Sequence, residues 1–398
     1  MDSSQVDTQL SPRHYLADVG KVFLRFGFTA FGGPAAHISM FHDEFVKRRK
    51  WLDEQHFLDL LGATNLIPGP NSTEMAIHLG YLRAGWRGLL LAGISFIAPA
   101  MLIVTVIAYF YVKYGSTPQA EWVLYGIGPV VIAIILQALI SLGRKAVTGY
   151  KTLVIAVLAM IIYFLQYSPL LALIIGGVLM LVISRVRKIR EIASVLIIPT
   201  ASTLGFQATS TQPYGLPVLF LTFLKIGAVL YGSGYVLLAF LNADFVRNLG
   251  WLTNQQLLDA VAIGQFTPGP VFTTATFIGY ILGGFPGALA ATVGIFLPSF
   301  VFVAISNPII PKLRNSPVTS TILDGVNAAS LGLMAAVLIQ LTRTSVYDIP
   351  TFIVAVISAI LLFKYRINTT WLILGGILFG LISGIAPNLL SCLIGALG

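Results

Sequence analysis

The sequence predicts an all-α polytopic membrane protein made of two inverted-topology repeats, each with about five crossings and one re-entrant hairpin. Three observations predict it: long uncharged apolar runs, a duplication at an offset of about 200 residues, and a cation bias that switches between equivalent loops.

The apolar runs settle the class. Of 398 residues, 57% are hydrophobic and 10% charged, against about 25% charged in a soluble domain. Nearly uncharged stretches cover 88–112, 122–142, 152–184, 216–243, 286–311, 325–342 and 367–398. The longer ones exceed the ~20 residues a helix needs to cross the hydrocarbon core. The alternating polarity of a transmembrane barrel is absent. Residues 1–18 are polar and mixed in charge (Asp2, Asp7, Arg13, Asp18), without the basic and apolar regions of a cleaved signal peptide. The expectation is a multi-pass protein of the plasma (inner) membrane. A single cysteine, Cys392, excludes an internal disulfide and a cysteine-based metal cluster. The net charge of +9 suits loops beside anionic lipid, and nucleic acid is not an expected partner.

The duplication organises the chain. Positions 23–70 read against 223–270, and fourteen of the 48 are identical, including Gly27, Trp51, Asp59 and Pro68-Gly69-Pro70. Chance would give roughly one match in twelve. After one lost residue, an offset of 199 continues through Gly80/Gly279, Pro99/Pro298, Gly126/Gly325 and Gly176-Gly177/Gly375-Gly376. The divisions are a polar tail over 1–18, a first repeat over 19–190, a linker over 191–217 and a second repeat over 218–398. An internal repeat with a broken apolar segment in each copy points to a secondary transporter.

Loop charges orient the copies. Lys47, Arg48, Arg49 and Lys50 face Arg247, Asn248, Leu249 and Gly250; Arg83 and Arg87 face Leu282 and Pro286. The bias reverses where Lys113 faces Lys312 and Arg314, returns where Arg144, Lys145 and Lys151 face Arg343, and reverses again where Lys364 and Arg366 face no cation. Under the positive-inside rule the repeats lie upside down relative to each other. The first repeat then crosses at 19–45, 88–112, 122–143, 151–167 and 169–186. Residues 56–82 would enter and leave on one side, and this count places the N-terminus, with Arg13 and Lys21, outside.

The breaks mark the candidate substrate site. Two prolines remove amide donors and end a continuous helix, so each Pro-Gly-Pro closes one half-helix and opens another. Around the first stand Asn65, Pro68, Gly69, Pro70, Asn71, Ser72 and Thr73; around the second, Gln265, Pro268, Gly269, Pro270, Thr273 and Thr274. Free N–H groups, a positive dipole end and hydroxyls suit an oxyanion; a proline-kinked junction without ligand is the plainer reading. The first segments are broken too, at Gly32-Gly33 and Gly232-Ser233, for ligand approach or for tight helix packing. Arg25 and Lys225 recur just upstream, either clamping the anion or snorkelling to the interface.

Coupling candidates are Glu74, which has no acidic counterpart (Thr274), then His37 and His78, and the recurring Asp59 and Asp259, which could equally cap or pair. Trp51 and Trp251 read as interface anchors. No nucleotide-binding motif or metalloprotease His/Glu spacing occurs, so neither enzyme nor cofactor is expected.

Phe31-Gly32-Gly33-Pro34, the Trp51 region, Asn65-Leu-Ile-Pro-Gly-Pro70 and Gly264-Gln-Phe-Thr-Pro-Gly-Pro270 together resemble the chromate ion transporter family in its long-chain, two-domain form. The resemblance covers the whole chain. It implies efflux of chromate by a membrane carrier, conferring chromate resistance. Alternatives are a carrier for sulfate or another oxyanion, or an anion channel on the same broken helices. The partners are then the oxyanion and the lipid bilayer, with homodimerisation open.

Overall fold

A computed structural model of the chain describes residues 12–31, 33–115, 117–185, 213–231, 236–306 and 317–397. Among these, all regular structure is helical. The first repeat contributes α1 (Pro12–Thr29), α2 (Gly33–His42), α3 (Glu54–Thr64), α4 (Asn71–Tyr114), α5 (Pro118–Ala146), α6 (Tyr150–Phe164) and α7 (Pro169–Arg185). The second contributes α8 (Leu216–Val229), α9 (Leu237–Leu241), α10 (Asn254–Phe266), α11 (Thr274–Ser306), α12 (Pro317–Ser345), α13 (Ile349–Phe363) and α14 (Thr369–Leu397). A wider π-helical turn follows α2 (Asp43–Arg48) and α9 (Asn242–Asn248) alike. Local signals set the starts: Asp53 and Thr253 accept the amides of His56 and Gln256, capping α3 and α10.

Four helical stretches are long and apolar enough to cross a membrane: Asn71–Tyr114, Pro118–Arg144, Val271–Ser306 and Ser320–Ser345. Shorter apolar stretches are Tyr150–Phe164, Pro169–Ser184, Leu216–Val229, Ile349–Phe363 and Thr369–Ile385. Along α4, Leu90, Ile94, Leu102, Val106 and Phe110 form an exposed apolar stripe, the face a helix turns to lipid.

The first segment corrects an expectation. Residues 19–45 do not make one crossing: α1 and α2 run antiparallel. Phe23 stacks on Phe45 at 5.3 Å and Phe26 meets Phe41 edge-on at 5.1 Å, while Arg25 pairs with Glu44 at 3.0 Å. At the open end Asp18 pairs with Arg49, and Arg83 lies over the rings of both Tyr15 and Trp51. The start of α1 therefore stands beside the basic stretches 47–50 and 83–87, not on the far side from them. The same fold-back recurs in the second repeat, where Phe223 meets Phe245 at 4.7 Å and Tyr214 meets Trp251 at 5.4 Å.

A second reversal lies inside α4. Ala84 and Gly85 leave helical geometry (φ −143°, ψ 24°; φ 59°, ψ −149°), and Gly283 and Gly284 in α11 adopt nearly the same angles (φ −145°, ψ 22°; φ 60°, ψ −153°). The second residue of each pair occupies a region open essentially to glycine alone. Residues 71–83 thus pack back on 86–114, with Tyr81 edge-on to Trp86; in α11, Thr276 and Thr292 share a 2.7 Å hydrogen bond across the reversal.

The two long arms run in opposite directions. Leu89 and Ile77 cluster with Val303, whereas Tyr111 meets Phe277 at 5.0 Å at the other end. Beyond them the repeats interlock reciprocally: α5 packs on α13 and α14, and α12 packs on α6 and α7. The backbones of Gly126 and Gly376 touch in one of these contacts, those of Gly176 and Gly325 in another.

Candidate functional site

Each Pro-Gly-Pro lies between two half-helices and rests on the broken helix of the opposite repeat. The Gly69 amide donates to the Leu230 carbonyl at 2.8 Å, and the Gly269 amide donates to the Ala30 carbonyl at 2.8 Å. Ala30 and Leu230 are equivalent positions just past α1 and α8. Amides freed by the proline breaks are thereby satisfied by carbonyls freed where the first helices end. The Tyr231 hydroxyl adds a 3.1 Å bond to the Leu66 carbonyl.

Gly69 is glycine for two reasons. Its φ of +139° is left-handed, and a Cβ there would collide with the Glu74 carboxyl and the Ser299 hydroxyl. At the second crossing Gly269 (φ +91°) faces the Ala100 methyl and the carbonyls of Gly27 and Phe96. Ser299 and Ala100 are equivalent at the offset of 199.

Several buried polar atoms without hydrogen-bond partners lie at these crossings, while others lie elsewhere, on Arg83, Asp244, Arg247, Ser330, Ser345 and Thr370. Among the described residues those at the crossings include both Glu74 carboxyl oxygens, Thr73 Oγ1 and Ser299 Oγ at the first, and His37 Nδ1 at the second. The His37 ring lies edge-on to Phe96, and its Nε2 stands 3.0 Å from the Ala30 carbonyl. A carbonyl only accepts, so Nε2 carries the proton and Nδ1 offers a lone pair. Orphaned groups of this kind cost about 1–3 kcal/mol each, and the cluster of Thr73, Glu74 and Ser299 against Gly69 makes that crossing a candidate site.

The remaining sequence candidates divide. Asn71 donates to Asn65 at 2.6 Å across the first break, and Ser72 is buried beside them. Gln265 is buried near the end of α10. Thr273 and Thr274 turn their hydroxyls back onto the carbonyls of Pro270 and Val271, both at 2.8 Å. Gly33 opens α2 with φ +79°; Gly32, Gly232 and Ser233 lie outside the described residues. His78 is buried one turn beyond Glu74 on α4.

Asp59 and Asp259 sit on the first half-helices, each held by the glutamine one turn earlier, Gln55 at 3.0 Å and Gln255 at 2.9 Å. Asp259 also accepts from Tyr111 at 2.7 Å, joining α10 to the end of the opposite repeat's long arm. Arg25 and Lys225 stand apart from the crossings. Their side chains are 46% and 48% exposed and pair with Glu44 (3.0 Å) and Asp244 (2.7 Å), themselves equivalent residues. The sequence reading missed these acids, although an acid recurring at 44 and 244 was there to be seen. It also missed Ser299, which no repeat pattern could flag because its counterpart is alanine.

The fold and the site define a polytopic helical membrane protein with a cluster of buried polar groups where broken helices of two repeats cross. The chromate transporter family profile matches residues 17–181 and 218–381. The chain belongs to the chromate transporter family. It is 31% identical over 382 residues to the chromate transport protein of Cupriavidus metallidurans, covering 94% of each chain. It is 32% identical over 369 residues to a probable chromate transport protein of Synechococcus elongatus, covering 90% of this chain and 93% of that one. The chromate transport protein of Pseudomonas aeruginosa is 30% identical over 376 residues, 90% of each. No solved structure matches.

Proposed function

We propose that the chain carries chromate out across the plasma membrane by alternating access of two inverted repeats about the paired Pro-Gly-Pro crossings. The observation that carries this reading is the reciprocal bond of each Pro-Gly-Pro amide to the other repeat's broken helix. Because each half-helix junction is anchored in the opposite half, tilting one repeat against the other reshapes both ends of the site together. In this reading residues 54–83 form a re-entrant hairpin, its tip at membrane depth.

A tetrahedral divalent oxyanion suits the start of α4, where Asn71, Ser72 and Thr73 combine an amide-rich helix end with hydroxyls. Arg25 and Lys225 enter as half-exposed cations that attract the anion before it reaches the buried turn. Membrane localisation and oxyanion transport follow the family; outward direction and chromate over sulfate are our own assignment.

The test is uptake of radiolabelled chromate by everted membrane vesicles and by proteoliposomes. A carrier gives saturable uptake that unlabelled chromate on the trans side accelerates. Ohmic, unsaturated conductance without trans-stimulation would sink the proposal, and competition by sulfate and molybdate would rank the substrates.

A further inference from the structure

The two crossings differ in charge. At Gly69 the side chains that close on the glycine are Glu74 of its own repeat and Ser299 of the other. At Gly269 the nearest side chain is Ala100. Counting from Pro-Gly-Pro, Glu74 aligns with Thr274; counting back from Gly80/Gly279, it aligns with Thr273. A threonine stands there by either register, so the carboxyl occurs at one crossing only.

Glu74 is 0% exposed, and no lysine or arginine among the described residues pairs with it. Among the described residues the groups around it are few. Ser299 approaches from α11; Tyr231 lies within reach of its field but is committed to the Leu66 carbonyl; His78 stands one turn on along α4. An ionised carboxylate here has the helix dipole of α4 but no paired cation among the described residues, whereas the neutral acid brings an O–H donor with the Ser299 oxygen beside it as acceptor.

Glu74 also shares the first turn of α4 with Asn71, Ser72 and Thr73, where the oxyanion is placed above. Two anions in one helical turn repel strongly away from water. Oxyanion binding and protonation of this carboxyl therefore favour each other, and the linkage is reciprocal.

We propose that Glu74, faced by Ser299 from the opposite repeat, is a proton-binding site that fills together with the oxyanion, so that one proton travels with each oxyanion carried. The proton comes from water on the loading side and returns to water on the release side, and no other reactant is needed. The proposal rests on the carrier reading.

Proteoliposomes holding a pH-sensitive dye, in mildly alkaline buffer where chromate is the dianion, provide the test. The wild-type chain should acidify the lumen as an inward chromate gradient drives uptake. Its KM should rise with pH, by up to about tenfold per unit for one obligatory proton. Glu74→Gln should retain trans-stimulated chromate exchange while losing lumen acidification and most of the pH dependence of KM. Ser299→Ala should keep the proton but shift the pH profile. Acidification by Glu74→Gln equal to wild type would overturn the proposal. So would a folded, membrane-inserted Glu74→Gln with no chromate exchange at all, because Glu74 would then serve the substrate step itself. Absence of trans-stimulated exchange in the wild-type chain would instead remove the carrier reading, a result read independently of the proton signal.

Discussion

The Gly69 amide reaches the Leu230 carbonyl at 2.8 Å, 161 positions further along the chain, and the equivalent bond runs from Gly269 to Ala30. Neither Pro-Gly-Pro is completed by its own repeat. Positive-φ glycine backbone and cross-repeat hydrogen bonding thus coincide at each Pro-Gly-Pro.

Replacing Gly69 by alanine forces a Cβ into Glu74 and Ser299 at a left-handed φ. Strain of this kind costs about 1–3 kcal/mol before any repacking. Gly69→Ala should lower chromate exchange more than tenfold while membrane insertion persists. Wild-type exchange rates in this variant would show that the crossing is not the site.

Gly85 and Gly284 make a different test, because each holds a glycine-only conformation and a Cβ there meets no neighbour within 4 Å. Gly85→Ala and Gly284→Ala should each destabilise the protein by about 1–3 kcal/mol through backbone strain alone. Thermal unfolding in detergent should show similar losses for both, and a large difference would mean the two reversals are not equivalent.

Arg25 and Lys225 are each matched by a carboxylate of the same repeat. If they draw the oxyanion in, replacing both by glutamine should lower chromate uptake several-fold at low ionic strength and less at high salt, where screening already weakens them. Normal uptake by the double variant at low salt would remove both cations from the transport pathway.

Asp348 lies between α12 and α13, outside the spanning helices, and caps α13. Burial pushes its carboxyl up, but the hydroxyl and amide of Thr351 and the Tyr125 hydroxyl outweigh that and hold it below the usual carboxylate range. A carboxyl lowered on folding contributes fully above its unfolded value and loses that contribution as pH falls through the folded one. Asp348→Ala should cost about 0.5–2 kcal/mol at neutral pH, and the gap from wild type should close in acid, as followed by thermal unfolding against pH.

Much of this was legible in the chain. The apolar runs, the offset of 200 and the paired Pro-Gly-Pro named the class and pointed to the crossings before any geometry. The reversals were harder to read. Residues 19–45 have enough apolar length for a crossing, and only the aromatic pairs Phe23–Phe45 and Phe26–Phe41 reveal a fold-back. Ala84-Gly85 resembles any glycine in a membrane helix, because a single positive φ leaves little compositional trace. Arg25 and Lys225 drew notice as lone cations because a partner nineteen residues away in sequence does not look like a neighbour.

The reciprocal packing of α5 on α13 and α14, and of α12 on α6 and α7, bears on how the molecule is made. During synthesis the first half emerges with α5, α6 and α7 inserted but lacking their final neighbours, which leave the ribosome last. Neither half can complete its interior alone, so maturation waits for the end of translation. Two half-length polypeptides made separately should reassemble when co-expressed, each supplying the helices that the other is missing.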